Sequence, residues 1–362
     1  MVPDDESVSG GHRPVPVSIG GRPVGPGHPV FVIAELSANH GQSLDRAVEL
    51  IGEAARAGAD AVKLQTYTPE TMTLDLDLPA FRVAEGTLWA GRRLADLYAE
   101  AMTPWEWYPA LADTAAAEGL VLFSTPFDRS AVDFLAAQGT PAFKIASFEL
   151  VDLPLIRAAA SHGLPLIMST GMATTEEIDA AVGAASSAGA TGIVLLRCNS
   201  SYPAPAGEMD LRTIPDMLER WRVPVGLSDH TMGLTAVTAA VALGACALEK
   251  HLTLDRSEPG PDSAFSLEPA ELKATIDALR EVEAALGSVR YGPSPSERPS
   301  LAFRRSAWVA QPVAAGQPLT ASMVRALRPA GGVVPDEIEH YLGRRARHDI
   351  AAGTPLTPDL VD

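Results

Sequence analysis

Between Phe31 and Gly287 the chain repeats one unit eight times: a short apolar, β-branched run, a loop, then a segment of helical period. The runs fall at 31–36, 61–66, 120–125, 142–147, 165–170, 192–198, 223–228 and 246–252. Strands alternating with helices predict a parallel sheet built from crossover units. Eight such units over about 250 residues match a (β/α)8 TIM barrel. The rival is an open, doubly wound sheet, but no run is followed by a Gly-x-Gly-x-x-Gly turn opening a helix. A barrel is the expected fold. Thr103-Pro-Trp-Glu106 predicts a helix start with a capping box and proline at the first position, and Thr174 to Glu177 predicts a second box. The last helix is expected over 269–286, stopped by Gly287.

The flanks divide as plainly. Residues 1–14 read as a polar, disordered tail. Val17 to Val24, interrupted by Gly20-Gly21, reads as a hairpin, because paired glycines supply the positive φ of a tight turn. Hairpin and barrel together make an expected domain over 15–287. Residues 288–303 contain Gly292-Pro-Ser-Pro-Ser-Glu-Arg-Pro-Ser300 and read as an extended linker. Residues 304–362, with short strands and many turn signals, read as a small β-rich domain.

Composition narrows the function classes. Apolar residues make up 46% of 362, enough for a large core, yet no run nears the 18 or so apolar residues of a membrane span. Met1 to Gly11 carries Asp4, Asp5 and Glu6 and no apolar stretch, so no signal peptide is expected there. Cys198 and Cys246 sit in apolar runs, which suggests buried thiols in a reducing compartment and a cytoplasmic protein. A formal charge of −17 argues against nucleic acid or an anionic membrane as partner. A phosphorylated metabolite would need a local basic pocket. Lys63, Lys144, Lys250 and Lys273 are the only lysines, and the first three lie in strand-like runs. A compact charge kept inside implies a specific task, unless its head snorkels to solvent.

Barrel enzymes carry their chemistry at the C-terminal ends of the strands. Those ends read Glu35, Lys63 with Gln65, Thr125, Lys144 with Ser147, Ser169, Ser200 with Tyr202, Ser228 with His230, and Glu249 with His251. Strand alternation puts Lys63 with Gln65, Ser228 with His230, and Glu249 with His251 on common faces. Lys250 falls on the opposite parity and reads as structural. His230 and His251 end neighbouring strands roughly 4.8 Å apart, so both imidazoles can reach one ion at about 2.1 Å. Such an open site suits Mn²⁺ or Mg²⁺ better than closed structural zinc. His40 either holds its loop or touches ligand. Lys63, Lys144 and the hydroxyls of Thr125, Ser147, Ser169 and Ser228 can hold a phosphate and a carboxylate. A Schiff-base lysine is the competing reading of Lys63 or Lys144.

The same residues lie in Ile33-Ala-Glu-Leu-Ser-Ala-Asn-His40, Val62-Lys-Leu-Gln-Thr66, Ser124-Thr-Pro-Phe127, Lys144-Ile-Ala-Ser-Phe-Glu149, Ser169-Thr-Gly171, Gly226-Leu-Ser-Asp-His-Thr231, Glu249-Lys-His251 and Pro259-Gly-Pro-Asp262. This ordered set, from about Val17 to the C-terminus, resembles the sialic acid synthase family. The resemblance implies a TIM barrel followed by an antifreeze-like (SAF) domain. It implies condensation of phosphoenolpyruvate with an acetamido-hexose aldehyde, aided by a divalent metal (Mn²⁺, Mg²⁺ or Co²⁺) at His230 and His251. It also implies a domain-swapped homodimer in which Arg328, of Leu327-Arg-Pro329, meets the acetamido group in the partner's barrel. Phosphoenolpyruvate would meet Lys63, Gln65, Thr125, Lys144, Ser147, Ser169, Ser200 and Ser228, and the sugar Glu149, Tyr202, Glu249 and Asp262. Glu35 would be the base, with Lys63 and Lys144 neutralising phosphate.

Within the family, Leu36-Ser-Ala-Asn-His40, Phe148, Leu64-Gln-Thr-Tyr-Thr68, Trp105-Glu-Trp107 and Ser263-Ala-Phe-Ser-Leu-Glu-Pro269 resemble the pseudaminic branch, whose sugar is a 2,4-diacetamido-2,4,6-trideoxy-L-altrose. The alternatives are the sialic and legionaminic branches, acting on N-acetylmannosamine or a 2,4-diacetamido-6-deoxy-mannose. Cys198-Asn-Ser-Ser-Tyr-Pro203 departs from the pattern, since threonine commonly follows the cysteine and the sialic branch has asparagine at the Ser200 position. Ser200 is thus a weaker candidate ligand than Lys63 or Lys144. Two rivals stand outside the family: a metal-dependent pyruvate aldolase, and a non-catalytic sugar- or ice-binding protein.

Overall fold

A computed structural model describes residues 14–362; most of the tail expected over 1–14 lies outside the described residues. The chain divides into two compact units, the second beginning at Ser288.

In the first unit, an antiparallel hairpin of β1 (Val17–Ile19) and β2 (Arg22–Val24) pairs Val17 with Val24 across Gly20 and Gly21, both at positive φ. Eight parallel strands follow: β3 (Phe31–Glu35), β4 (Ala61–Thr66), β5 (Val121–Pro126), β6 (Phe143–Ile145), β7 (Leu166–Ser169), β8 (Ile193–Cys198), β9 (Val225–Asp229) and β10 (Ala247–His251). They close into a barrel, with β10 hydrogen-bonded to both β9 and β3. Among the described residues no helix is long and apolar enough to cross a membrane.

Side-chain parity explains what the barrel holds. One face of each strand packs outward on the helices, through residues such as Val32, Val62, Leu64, Leu195 and Leu227. The other face begins apolar, with Phe31, Ile33, Ala61, Phe123, Ile167, Leu196 and Ala247. Val17, Ile19 and Val24 of the hairpin join this inner cluster and so cap its lower end. Two residues further along the same face the chemistry changes: Ile33 gives way to Glu35, Ala61 to Lys63, Phe123 to Thr125, Ile167 to Ser169 and Ala247 to Glu249. All of these polar residues are buried. The sequence therefore builds an apolar plug below and a charged mouth above.

The helix signals fare unevenly. Thr174 and Glu177 form the expected capping box for the helix Thr175–Ala188, and the last barrel helix spans Pro269–Leu286. Thr103, expected as a cap, is not one. Trp105–Trp107 is a 3₁₀ turn ahead of a helix at Tyr108–Ala117, and the Thr103 hydroxyl instead meets His40 Nε2 at 3.1 Å.

In the second unit β11 (Ser306–Val309) pairs antiparallel with β12 (Val324–Leu327). Isolated bridges, among them Val313 with Ile350 and Ala346 with Val361, complete a β-rich fold around Val309, Leu319, Ile350 and Leu356. The segment expected as an extended linker over 288–303 is not extended to its end. Arg298–Phe303 winds into a 3₁₀ helix with Pro299 in its first turn, and Ala330 N–H donates to Ala302 O at 2.9 Å.

Candidate active site

The strand ends open into a cavity of about 510 Å³ lined only by first-unit residues. At its floor two buried lysines share one carboxylate. Lys63 Nζ donates to Glu249 Oε1 at 3.1 Å and to Thr125 Oγ1 at 3.3 Å, and ion-pairs with Glu35 Oε2 at 2.9 Å. Lys144 Nζ lies 3.6 Å from the same Glu249 oxygen and donates to Ser169 Oγ at 2.7 Å. Ser228 Oγ donates to Glu249 Oε1 at 3.2 Å, while Glu249 Oε2 has no hydrogen-bond partner.

These neighbours set the protonation states. Burial alone would push the Glu249 carboxyl up, but Lys144 and Lys63 outweigh it and hold it near 2. Burial likewise opposes the Lys63 ammonium, yet Glu249 and Glu35 keep it firmly charged. Lys144 has less help. Burial wins there, only partly offset by Glu249, and brings it down to about 8. Burial also raises Glu35 despite Lys63, and raises Glu149 to about 7.

Beside this floor stand the two imidazoles, with ring centroids 5.4 Å apart. Nδ1 of His230 lies 2.8 Å from the Asn199 carbonyl, which assigns the proton there and leaves Nε2 free. His251 is buried and its Nδ1 has no partner. Burial, reinforced by His230 and Lys63, holds His251 neutral, as a ligand must be. Among the described residues no group of three or more His, Cys, Asp or Glu side chains could hold an ion. The donor set is two nitrogens, with any further positions left to water or substrate oxygen.

Of the remaining expected site residues, Gln65, Ser147, Glu149, Tyr202 and Asp262 also line the cavity. Ser147 Oγ accepts from Gly171 N–H at 3.0 Å. Gly171 leaves room for two hydroxyls: a Cβ there would meet Ser147 Oγ at 2.7 Å and crowd Ser200 Oγ. Tyr202 packs on His230, with ring centroids 4.4 Å apart. Four expected residues do not line the cavity. Glu35 and Thr125 lie one layer beneath, covered by Lys63, and Glu35 Oε1 accepts from Ser37 N–H at 3.1 Å and Gln65 Nε2 at 3.2 Å. Ser200 stands to the side, 3.9 Å from Cys198 Sγ. Arg328 belongs to the second unit, exposed just past β12. His40 holds its loop, with Nδ1 accepting from Gln42 N–H and Nε2 facing Thr103.

Other lining residues carried no charge to announce them. Tyr67, Val83, Trp89, Leu94 and Tyr98 come from the long excursion after β4 and form an apolar wall. Its one sequence signal is length, nearly forty residues rich in aromatics before the next strand-supporting helix. Trp89 Nε1 donates to Pro261 O at 2.8 Å, so the excursion reaches the loop after β10. Ser37 donates a short hydrogen bond to Asp262 and accepts from Gln65 Nε2 at 2.9 Å. Cys198, the buried free thiol expected, also lines the cavity, 4.0 Å from His230 Nδ1. Burial pushes its thiol up, but His230 outweighs that and brings it to about 7.

Known proteins resemble the chain along most of its length. The NeuB family model matches residues 50–291 and the SAF domain model residues 304–362. The chain is 41% identical to a pseudaminic acid synthase of Campylobacter jejuni, over 90% of this chain and 95% of that protein. It is 35% identical to an N,N'-diacetyllegionaminic acid synthase of Legionella pneumophila, over 92% and 95%. Among solved structures it is similar to an N-acetylneuraminic acid synthetase from Leptospira borgpetersenii in complex with citrate. There the TM-score is 0.71 and the identity 32%, over 80% of this chain and 96% of that one.

Proposed function

The chain belongs to the NeuB family, and from that premise we propose that it is a nonulosonic acid synthase. It condenses phosphoenolpyruvate, water and an acetamido-hexose aldehyde to a nine-carbon acid and phosphate. In its finer form the proposal makes the sugar 2,4-diacetamido-2,4,6-trideoxy-L-altrose and the product pseudaminic acid, the name carried by the Campylobacter relative.

One observation carries the reading: two buried ammoniums and a cluster of hydroxyls stand beside a pair of buried imidazoles in one cavity. Lys63 and Lys144, with Ser147, Ser169 and Ser228, offer an anion site inside an otherwise acidic protein. His230 through Nε2, and His251 with its unpartnered ring nitrogen, suit a divalent cation. Mn²⁺, Mg²⁺ or Co²⁺ bound there would supply Lewis acidity toward the aldehyde oxygen.

The reaction forms a bond from C3 of phosphoenolpyruvate to the aldehyde carbon, whose oxygen takes a proton. Water adds at C2 and loses a proton, and phosphate departs from the resulting tetrahedral centre. Glu35, raised by burial and paired through Oε2 with Lys63 at 2.9 Å, is the candidate base for that water, acting from one layer below the cavity. Lys63 stays charged throughout and steadies the phosphate as its negative charge grows, with Lys144 beside it. Glu149, Tyr202 and Asp262 orient the sugar. Phe148, 59% exposed at the cavity wall, offers an apolar surface to a methyl group. Arg328 serves the cavity of a second copy of the chain in a swapped dimer.

Incubating the protein and Mn²⁺ with phosphoenolpyruvate and a panel of hexosamine derivatives, read by phosphate release and mass spectrometry, tests both levels. A higher kcat/KM for N-acetylmannosamine or the manno-configured 6-deoxy sugar would move the chain to a sister branch. Turnover of pyruvate without phosphate release would overturn the synthase itself.

A further inference from the structure

Lys250 is the one lysine of the barrel strands that the cavity does not use. Its side chain is 1% exposed and its partner, the Asp229 carboxylate, is fully buried, with Nζ 2.6 Å from Asp229 Oδ2. Nζ also donates a short hydrogen bond to Thr231 O. Asp229 closes the loop, its Oδ1 accepting from Thr231 N–H at 3.0 Å and its Oδ2 from Thr231 Oγ1 at 3.1 Å. A buried ion pair is a poor source of stability, since desolvating two charges offsets most of their attraction. In some proteins such a pair serves instead to fix one arrangement over others.

What this pair fixes is visible in the register. Asp229 and Lys250 face each other as one rung between β9 and β10. The next residue on each strand is His230 and His251 respectively. Parity turns Asp229 and Lys250 to the side opposite the cavity, so the pair grips the rung from behind. Thr231 extends the grip past His230, pinning the backbone on both sides of it. The His230 ring has a further anchor at Asn199 O, but His251 Nδ1 has none. The His251 imidazole packs on Phe265, with ring centroids 5.0 Å apart, but no hydrogen bond at Nδ1 fixes it, and the Lys250 side chain ties its strand to the His230 turn.

We propose that Lys250, Asp229 and Thr231 form a positioning clamp that sets the spacing of His230 and His251 for a shared divalent cation. The inference rests on the metal reading above and adds residues that touch neither ion nor substrate.

The test is Mn²⁺ binding by the full chain, stripped with chelator and titrated by electron paramagnetic resonance. Co²⁺ visible absorption reports geometry in parallel. The neutral, volume-matched double variant Lys250→Met/Asp229→Asn removes the clamp without leaving a lone buried charge. It should keep the wild-type circular dichroism and bind Mn²⁺ about 10- to 100-fold more weakly, with an altered Co²⁺ spectrum. A folded double variant with wild-type Kd and Co²⁺ spectrum would show the pair to be merely structural. If the double variant does not fold, Thr231→Val removes one strut and keeps the ion pair. It should weaken Mn²⁺ roughly threefold to tenfold, and an unchanged Kd there refutes the clamp. His230→Ala separates this idea from its premise: an unchanged Kd in that variant places the ion elsewhere, and the metal reading fails together with the clamp.

Discussion

Replacing Lys144 by methionine should make the free protein more stable while weakening its hold on phosphoenolpyruvate. The ammonium is buried, and burial brings it from the ordinary lysine value of 10.5 to about 8. At pH 7 the folded protein therefore carries a charge that costs about 3 kcal/mol relative to the unfolded chain. The amine's hydrogen bond to Ser169 Oγ at 2.7 Å returns about 1 kcal/mol. Glu249 is not stranded by the change, because Lys63 and Ser228 remain at 3.1 and 3.2 Å. The net gain is about 2 kcal/mol at pH 7. The pH dependence has a definite sign. A depressed lysine costs stability fully below its folded value and not at all above its unfolded one, so the variant's advantage closes between pH 8 and 10.5. Urea unfolding at pH 7 and pH 10, in chelated buffer free of phosphate, measures the difference. The same variant should lose roughly 10- to 100-fold in kcat/KM for phosphoenolpyruvate, the worth of one charge-assisted bond. A Lys144→Met protein less stable than wild type at pH 7, or a stability gap that ignores pH, would refute the reasoning.

Chelation should abolish turnover and Mn²⁺, Mg²⁺ or Co²⁺ restore it, with His230→Ala and His251→Ala each folded but unable to retain Mn²⁺ by elemental analysis. Full activity in excess chelator counts against the ion. Gly171→Ala should push aside the Ser147 and Ser200 hydroxyls and raise KM for phosphoenolpyruvate roughly tenfold with little change in melting temperature. Glu149 at about 7 should give kcat/KM a limb near neutral pH, which Glu149→Gln abolishes. Mixing His230→Ala with Arg328→Ala under subunit exchange should return about a quarter of wild-type activity, because roughly half the dimers are mixed and each has one intact site. No recovery after proven exchange would show that Arg328 does not act across a dimer.

Much of this site was legible because a strand has only two faces. Counting by twos from Ile33 or Ala61 reaches Glu35 and Lys63, and the same count sets Lys250 apart, as the structure finds. The rule would also have turned Cys198 inward, two beyond Leu196, but its apolar company suggested only a buried thiol. Tyr67 and Trp89 were beyond such counting, because their segment has no period and an apolar lining residue resembles any other core residue. Thr103 failed for a different reason. Thr-Pro-x-Glu is locally a good cap, and only a tertiary partner, His40, could claim the hydroxyl. Glu35 and Thr125 show a limit of depth: parity gives the face of a strand but not how far below the surface a residue sits.

The hairpin under the barrel has a consequence in time. Val17, Ile19 and Val24 leave the ribosome ahead of every barrel strand, yet their socket includes Ala247, which follows Val24 by 223 residues. At about 5–20 residues per second that interval is on the order of 10–45 s. Throughout it three apolar side chains have no finished place to go, and the contacts they finally make are among the longest loops the first unit closes. The plug is made before any barrel strand and is among the last segments that can be seated. A nascent chain stalled before β10 should accordingly present this hairpin to proteases and chaperones, while a completed barrel hides it.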